Sequence, residues 1–206
     1  MTPYKLLSLL LSYPDAELHA LRGDIRAAAQ ALADRGAREA IAKFLDDTAE
    51  WDAEDAQEAY VASFDFNRRA SLHLTYAYQG DRRQRGVALL KLRRLYERLG
   101  LQTMTEELPD HLPLMLELAD MLEPAHAREL LGEFRVAIEL VHAALTDQGS
   151  PYLPLLGALS VLLGPAGEDD LAAVLRLAAE GPPEEQVGLE PFAPPEVMPV
   201  HVAEAV

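Results

Sequence analysis

The chain has 206 residues, half of them apolar and a quarter charged, which is room for one sizeable core and short for two domains. It has no cysteine, which excludes disulfides, thiolate metal sites, iron–sulfur ligation and a cysteine nucleophile. The net charge of −16 is gathered in the second half, where residues 101–206 carry 3 basic and 19 acidic side chains while residues 1–100 balance. That half repels nucleic acid and attracts a basic peptide or protein segment.

Thr2 and Pro3 predict the start of a first helix, apolar nearly all round and ending near Leu11. The short apolar run after Lys5 lacks a cleavage site, so no secretory signal is expected. Tyr13-Pro14-Asp15 breaks the helix, and Asp15 caps a second one with Leu18, Leu21, Ile25, Ala28 and Leu32 on one face. Gly36 is expected to end it in a left-handed cap. A third helix follows over about 37–50. Asp52 caps a fourth that runs to about Phe64, and Ser71 to Tyr78 reads as another helical segment.

Val87 to Leu99 is a strongly patterned helix, with Leu92, Leu95, Tyr96 and Leu99 as its core stripe and Gly100 as its stop. Residues 68–98 hold 9 basic and 2 acidic side chains. In ELPDHLP (107–113) the two prolines conflict with a helix interior, a conflict removed if Asp110 is the N-cap and accepts from the N–H of Leu112. A long helix is expected from Pro124 to about Thr146. An apolar helix follows from Ser150-Pro151 to Gly164, then a short one over about 169–179. The apolar stretch from Tyr152 to Leu163 would span only about 18 Å as a helix, against about 30 Å of bilayer hydrocarbon. Direct membrane insertion is therefore not expected. Residues 181–206 hold six of the fourteen prolines and predict an extended or disordered acidic tail. The expected architecture is all-α: one helical bundle of about nine to ten helices over residues 1–180, with that tail behind it.

The candidate chemistry is sparse. None of the six histidines falls in an HExxH arrangement, and GDRRQRG (80–86) lacks the phosphate-loop pattern, although Arg83 and Arg85 could grip an anion or a partner. Asp110 and His111 could be a helix cap, part of a partner site, or an acid–base pair without a visible nucleophile. Tyr60, Phe64 and Phe66 read as core aromatics unless the helices leave a groove for an amphipathic segment.

LLSYPD (10–15), FDFNRRASLHL (64–74), GDRRQRGVAL (80–89) and ELPDHLPLMLE (107–117) together resemble the nitrate reductase delta-subunit family. These are NarJ-type assembly chaperones within the wider TorD-like group. The resemblance implies an all-α, cytoplasmic, non-catalytic protein, a monomer or weak dimer. It would bind the basic N-terminal segment of a molybdoenzyme's catalytic (alpha) subunit until the molybdenum–guanine dinucleotide cofactor is inserted. It would hold no cofactor permanently. It places Glu107, Pro109, Asp110 and His111 in the family's signature loop, and Asp65, Arg69, Arg83 and Arg85 in its central motif. Phe64, Leu72 and Tyr76 complete the expected client surface. A small helical enzyme acting through Asp110-His111 and a permanent structural adaptor stand as the rival readings.

Overall fold

The structure, a computed structural model, describes residues 1–76, 83–101 and 107–180. The tail expected over 181–206 lies outside these residues, as do 77–78 of the expected helical segment and 80–82 of GDRRQRG. Among the described residues there are eleven α-helices and no strand. In chain order they are α1 (Pro3–Leu11), α2 (Ala16–Ala20), α3 (Arg22–Gln30), α4 (Arg35–Asp47), α5 (Ala53–Phe64), α6 (Arg83–Arg98), α7 (Leu112–Met121), α8 (Pro124–Gly132), α9 (Arg135–Gln148), α10 (Leu153–Leu163) and α11 (Glu168–Glu180). A 3-10 turn, Arg68–Ala70, follows α5.

Local signals account for the helix starts. The Thr2 hydroxyl accepts from the N–H of Lys5, with Pro3 already at a helical φ. Asp52 and Asp55 form a reciprocal capping box on α5. The core is one continuous cluster. Leu6, Leu7 and Leu11 of α1 are fully buried and lie against α7, while α10 lies against α4. In the middle, Phe44, Tyr60 and Phe64 gather around Tyr152, with ring centroids 5.1, 5.9 and 5.0 Å from it. Such aromatic pairs add about 0.5–1.5 kcal/mol each beyond their buried area.

The structure corrects several expected boundaries. The second helix is two helices bent at Leu21, which is 45% exposed rather than on the buried face. Arg22 fixes the bend by donating to the carbonyl of Thr48 at 2.9 Å. Gly36 is no left-handed cap but sits in the first turn of α4, which Asp34 caps by accepting from the Ala37 N–H at 2.7 Å. A Cβ at Gly36 would meet Val161 Cγ1 at 2.9 Å, so the glycine serves the close approach of α10. The long helix expected from Pro124 is broken after Gly132, where the N–H of Phe134 turns back to the carbonyl of Leu131 at 3.1 Å. Gly149, with φ at 63°, ends α9 and lets Ser150 turn inward to the hydroxyl of Ser63 at 2.7 Å.

Candidate functional site

The helix expected from Ser71 is absent over 71–75. Here the chain makes a single bridge at His73 and then turns, with the N–H of Tyr76 donating to the carbonyl of His73 at 3.0 Å, and the reason lies far along the sequence. The N–H of Leu112 donates to the carbonyl of Leu72 at 2.8 Å, and the N–H of Leu74 donates to the carbonyl of Asp110 at 3.0 Å. These bonds pair His73 with His111 in a single antiparallel bridge. The backbone polar groups that a helix would have satisfied internally are satisfied across the pair instead.

Asp110 is at the centre of this junction, and its expected role as N-cap is wrong. His111 holds the N-cap position of α7 and Pro113 falls within the first two helical residues. The Asp110 side chain is fully buried. Its carboxylate accepts from the Thr75 N–H at 3.1 Å and the Thr75 hydroxyl at 2.6 Å. His73 Nδ1 lies 3.3 Å away and the Arg85 guanidinium 3.7 Å away. Burial pushes the Asp110 carboxyl up, but the hydrogen bonds from His73 and Thr75 and the charges of His73 and Arg85 outweigh it, and the group is held below its ordinary range. The second half of the junction is fixed by Tyr96, whose hydroxyl donates to the carbonyl of Pro109 at 3.4 Å.

A half-open cleft of about 490 Å³ lies beside the junction, between the end of α1, α5 and the start of α7. Asp65, Glu107 and Glu117 bring carboxylates to it, and Tyr13 and Tyr60 bring rings. No lysine or arginine lines it among the described residues, but Glu117 is already paired with Lys5, whose Nζ donates to its Oε1 at 2.7 Å. Tyr13 is half exposed and meets Tyr60 edge-on, with centroids 5.5 Å apart. His73 and His111 both line the cleft, with ring centroids 5.1 Å apart. Burial and the neighbouring His73 lower the affinity of His111 for a proton, against the opposing pull of Glu107 and Asp110.

The residues singled out from the sequence divide accordingly. Asp65, Glu107 and His111 meet in the cleft. Phe64 and Leu72 are 5% and 4% exposed and pack into the core, so they offer no surface to a client in this conformation. Pro109 is buried beneath Tyr96. Arg69 turns away: it donates to the carbonyl of Ala178 at 3.1 Å, near the end of α11, and lies 3.9 Å from Asp147. Arg85 supports the junction, with its guanidinium 5.5 Å from the ring centroid of Tyr76 and Nε 3.3 Å from the Thr75 hydroxyl. Arg83 opens α6, and its side chain lies outside the described residues. Phe66, expected in the core, is 84% exposed. His73, Thr75, Tyr13 and Glu117 were not anticipated. No local signal marked His73 and Thr75, because the turn that brings both to Asp110 is set by the distant segment 110–112.

No group of side chains among the described residues could hold a metal ion, and no described helix is long and apolar enough to cross a membrane. Fold and cleft together define a class: an all-helical protein with an acidic, aromatic-walled recess beside the junction. Residues 29–157, which include the whole junction, match the family model described as nitrate reductase delta subunit. The chain is 36% identical over 160 residues to the probable nitrate reductase molybdenum cofactor assembly chaperone NarJ of Bacillus subtilis (strain 168), covering 78% of this chain and 87% of that one. It is 37% identical over 171 residues to the nitrate reductase molybdenum cofactor assembly chaperone NarJ of Escherichia coli (strain K12), covering 82% and 72%. A third relative, the nitrate reductase-like protein NarX of Mycobacterium tuberculosis (strain ATCC 25618 / H37Rv), is 32% identical over 154 residues, which are 74% of this chain but 23% of that protein. The chain belongs to the nitrate reductase delta subunit family.

Proposed function

We propose that this protein is a cytoplasmic, client-specific chaperone. It binds the basic N-terminal segment of the apo catalytic subunit of a molybdoenzyme, a nitrate reductase. It holds that segment while the molybdenum–guanine dinucleotide cofactor is inserted, and releases it before the complex attaches to the membrane. The observation that carries this reading is the cleft. Its carboxylates at Asp65 and Glu107 and its tyrosine rings suit a segment that is both cationic and apolar, while Glu117 is paired with Lys5. The names of the relatives supply the client and the cofactor. The cofactor is cargo for the client. An acidic recess disfavours its diphosphate, so the protein acts on the polypeptide that receives the cofactor. Asp110 is fully buried and committed to Thr75 and His73 in the junction, which disfavours an acid–base role for Asp110-His111.

The test is co-expression with the catalytic subunit of a nitrate reductase. The chaperone reading expects co-purification with the cofactor-free subunit and release once it is loaded. Equal retention of both forms would make the protein a permanent adaptor. Calorimetric titration of the client's N-terminal peptide should show affinity falling with salt, because several exposed pairs of about 0.2–1 kcal/mol act together. Salt-independent affinity would leave apolar docking alone.

A further inference from the structure

The two imidazoles at the junction have an unusual arrangement. The carboxylate of Asp110 is an acceptor only, so His73 Nδ1, 3.3 Å from it, carries the hydrogen. His111 Nδ1 faces the carboxylate of Glu107 at 4.0 Å, which orients that ring in the same sense. In the neutral state each ring is left with Nε2 as a free lone pair, and both rings line the same cleft. Two neighbouring donors are already spent: the Tyr60 hydroxyl on the carbonyl of Leu11 at 3.3 Å, and the Ser12 hydroxyl on the carbonyl of Ser8 at 2.8 Å. The Tyr13 and Ser8 hydroxyls also line the cleft, and beside them stand acceptors: two imidazole nitrogens and the carboxylates of Asp65 and Glu107.

We propose that His73 and His111 form a paired-imidazole reader for one arginine side chain of the client, and that Asp110 is the residue that positions the pair. The proposal rests on the chaperone reading and deepens it. A guanidinium offers five N–H donors in a rigid plane, enough to meet both Nε2 atoms and a carboxylate at once. Its flat face stacks on aromatic rings, and Tyr13 presents one that is half exposed. An ammonium offers three donors from a single point and no face, so lysine is the weaker ligand. Asp110 touches no client, being fully buried. Through Thr75 and His73 it holds the bridge and turn at 72–75 against 110–112, and so sets the separation of the two rings.

The test uses the whole protein and two probes, N-acetylarginine amide and N-acetyllysine amide. Imidazole proton resonances of His73 and His111 are followed by NMR during titration. Saturable shifts of both rings are expected, with the arginine probe binding at least threefold more tightly. His73→Gln and His111→Gln should each weaken the arginine probe at least threefold without loss of helicity by circular dichroism. Asp110→Asn should abolish the arginine preference. If that variant does not fold, the two histidine variants decide alone. Absence of saturable shifts, equal affinity for the two probes, or wild-type binding by His73→Gln would overturn the proposal. Client co-purification that survives in His73→Gln at wild-type level would overturn it too, while leaving the chaperone reading intact. Loss of client association in the wild-type protein would remove the chaperone reading itself.

Discussion

The hydroxyl of Thr75 donates to the carboxylate of Asp110 at 2.6 Å, closing a contact between residues 35 positions apart. Both side chains are buried, at 3% and 0% exposure. The signature element ELPDHLP is thus anchored from beneath by the turn at 73–76, and its conspicuous carboxylate is closed off from solvent.

A first prediction separates this anchor from a helix cap. Loss of a cap costs about 0.5–2 kcal/mol. Removing one partner of a buried, hydrogen-bonded charge costs about 3–5 kcal/mol. Asp110→Ala should therefore lower the unfolding free energy by the larger amount in chemical denaturation, and Thr75→Val by about 1–3 kcal/mol. A loss below 2 kcal/mol for Asp110→Ala would return the residue to a capping role.

The pH dependence of stability follows from the two depressed groups. His111 is held below its ordinary value of 6.5 in the folded state by burial and by His73. As pH falls below 6.5 the unfolded chain takes up this proton first, so stability declines from there towards the folded value. Asp110, held below its ordinary 3.8, contributes stability that is present above that pH and lost as the pH falls through its folded value. Denaturation midpoints measured between pH 8 and pH 3 should show both declines. His111→Gln should flatten the upper one only.

The tail is the subject of a third expectation. A chain ending at Glu180 should unfold within about 2 °C of the full-length protein, since about 1 kcal/mol moves the midpoint of a domain this size by roughly 2–4 °C. A larger drop in a thermal melt would show that residues 181–206 pack on the body.

Gly36 gives a fourth. Alanine is the better helix former, by up to about 1 kcal/mol. In the wild-type background Gly36→Ala should fail to stabilise, because its methyl meets Val161 at 2.9 Å. In a Val161→Ala background the same change should stabilise. Additive behaviour of the two changes would mean that α4 and α10 are not in tight register here.

What could be read from the sequence was local. Thr2, Asp15 and Asp52 announced their helices because a cap and its partners lie within three residues. The acidic charge and the aromatic content of the cleft were also visible, as composition. The bridge and turn at 72–75 were not, because their conformation is imposed by residues 110–112 against a helical pattern. The place of Arg69 was hidden for the same reason: its carbonyl partner on Ala178 is supplied by α11, near the other end of the described chain. Gly36 misled because glycine at a helix end and glycine at a close crossing look alike in one dimension.

The packing of α1 on α7 carries a consequence for biosynthesis. One wall of the cleft, Ser8, Ser12 and Tyr13, leaves the ribosome at the outset, and the opposite wall, Pro113, Leu114 and Glu117, emerges about a hundred residues later. At about 5–20 residues per second the nascent chain carries Leu6, Leu7 and Leu11 uncovered for some 5–20 seconds. Until then the apolar face of α1 lacks α7, and no translation product that stops short of Met121 has both walls of this cleft.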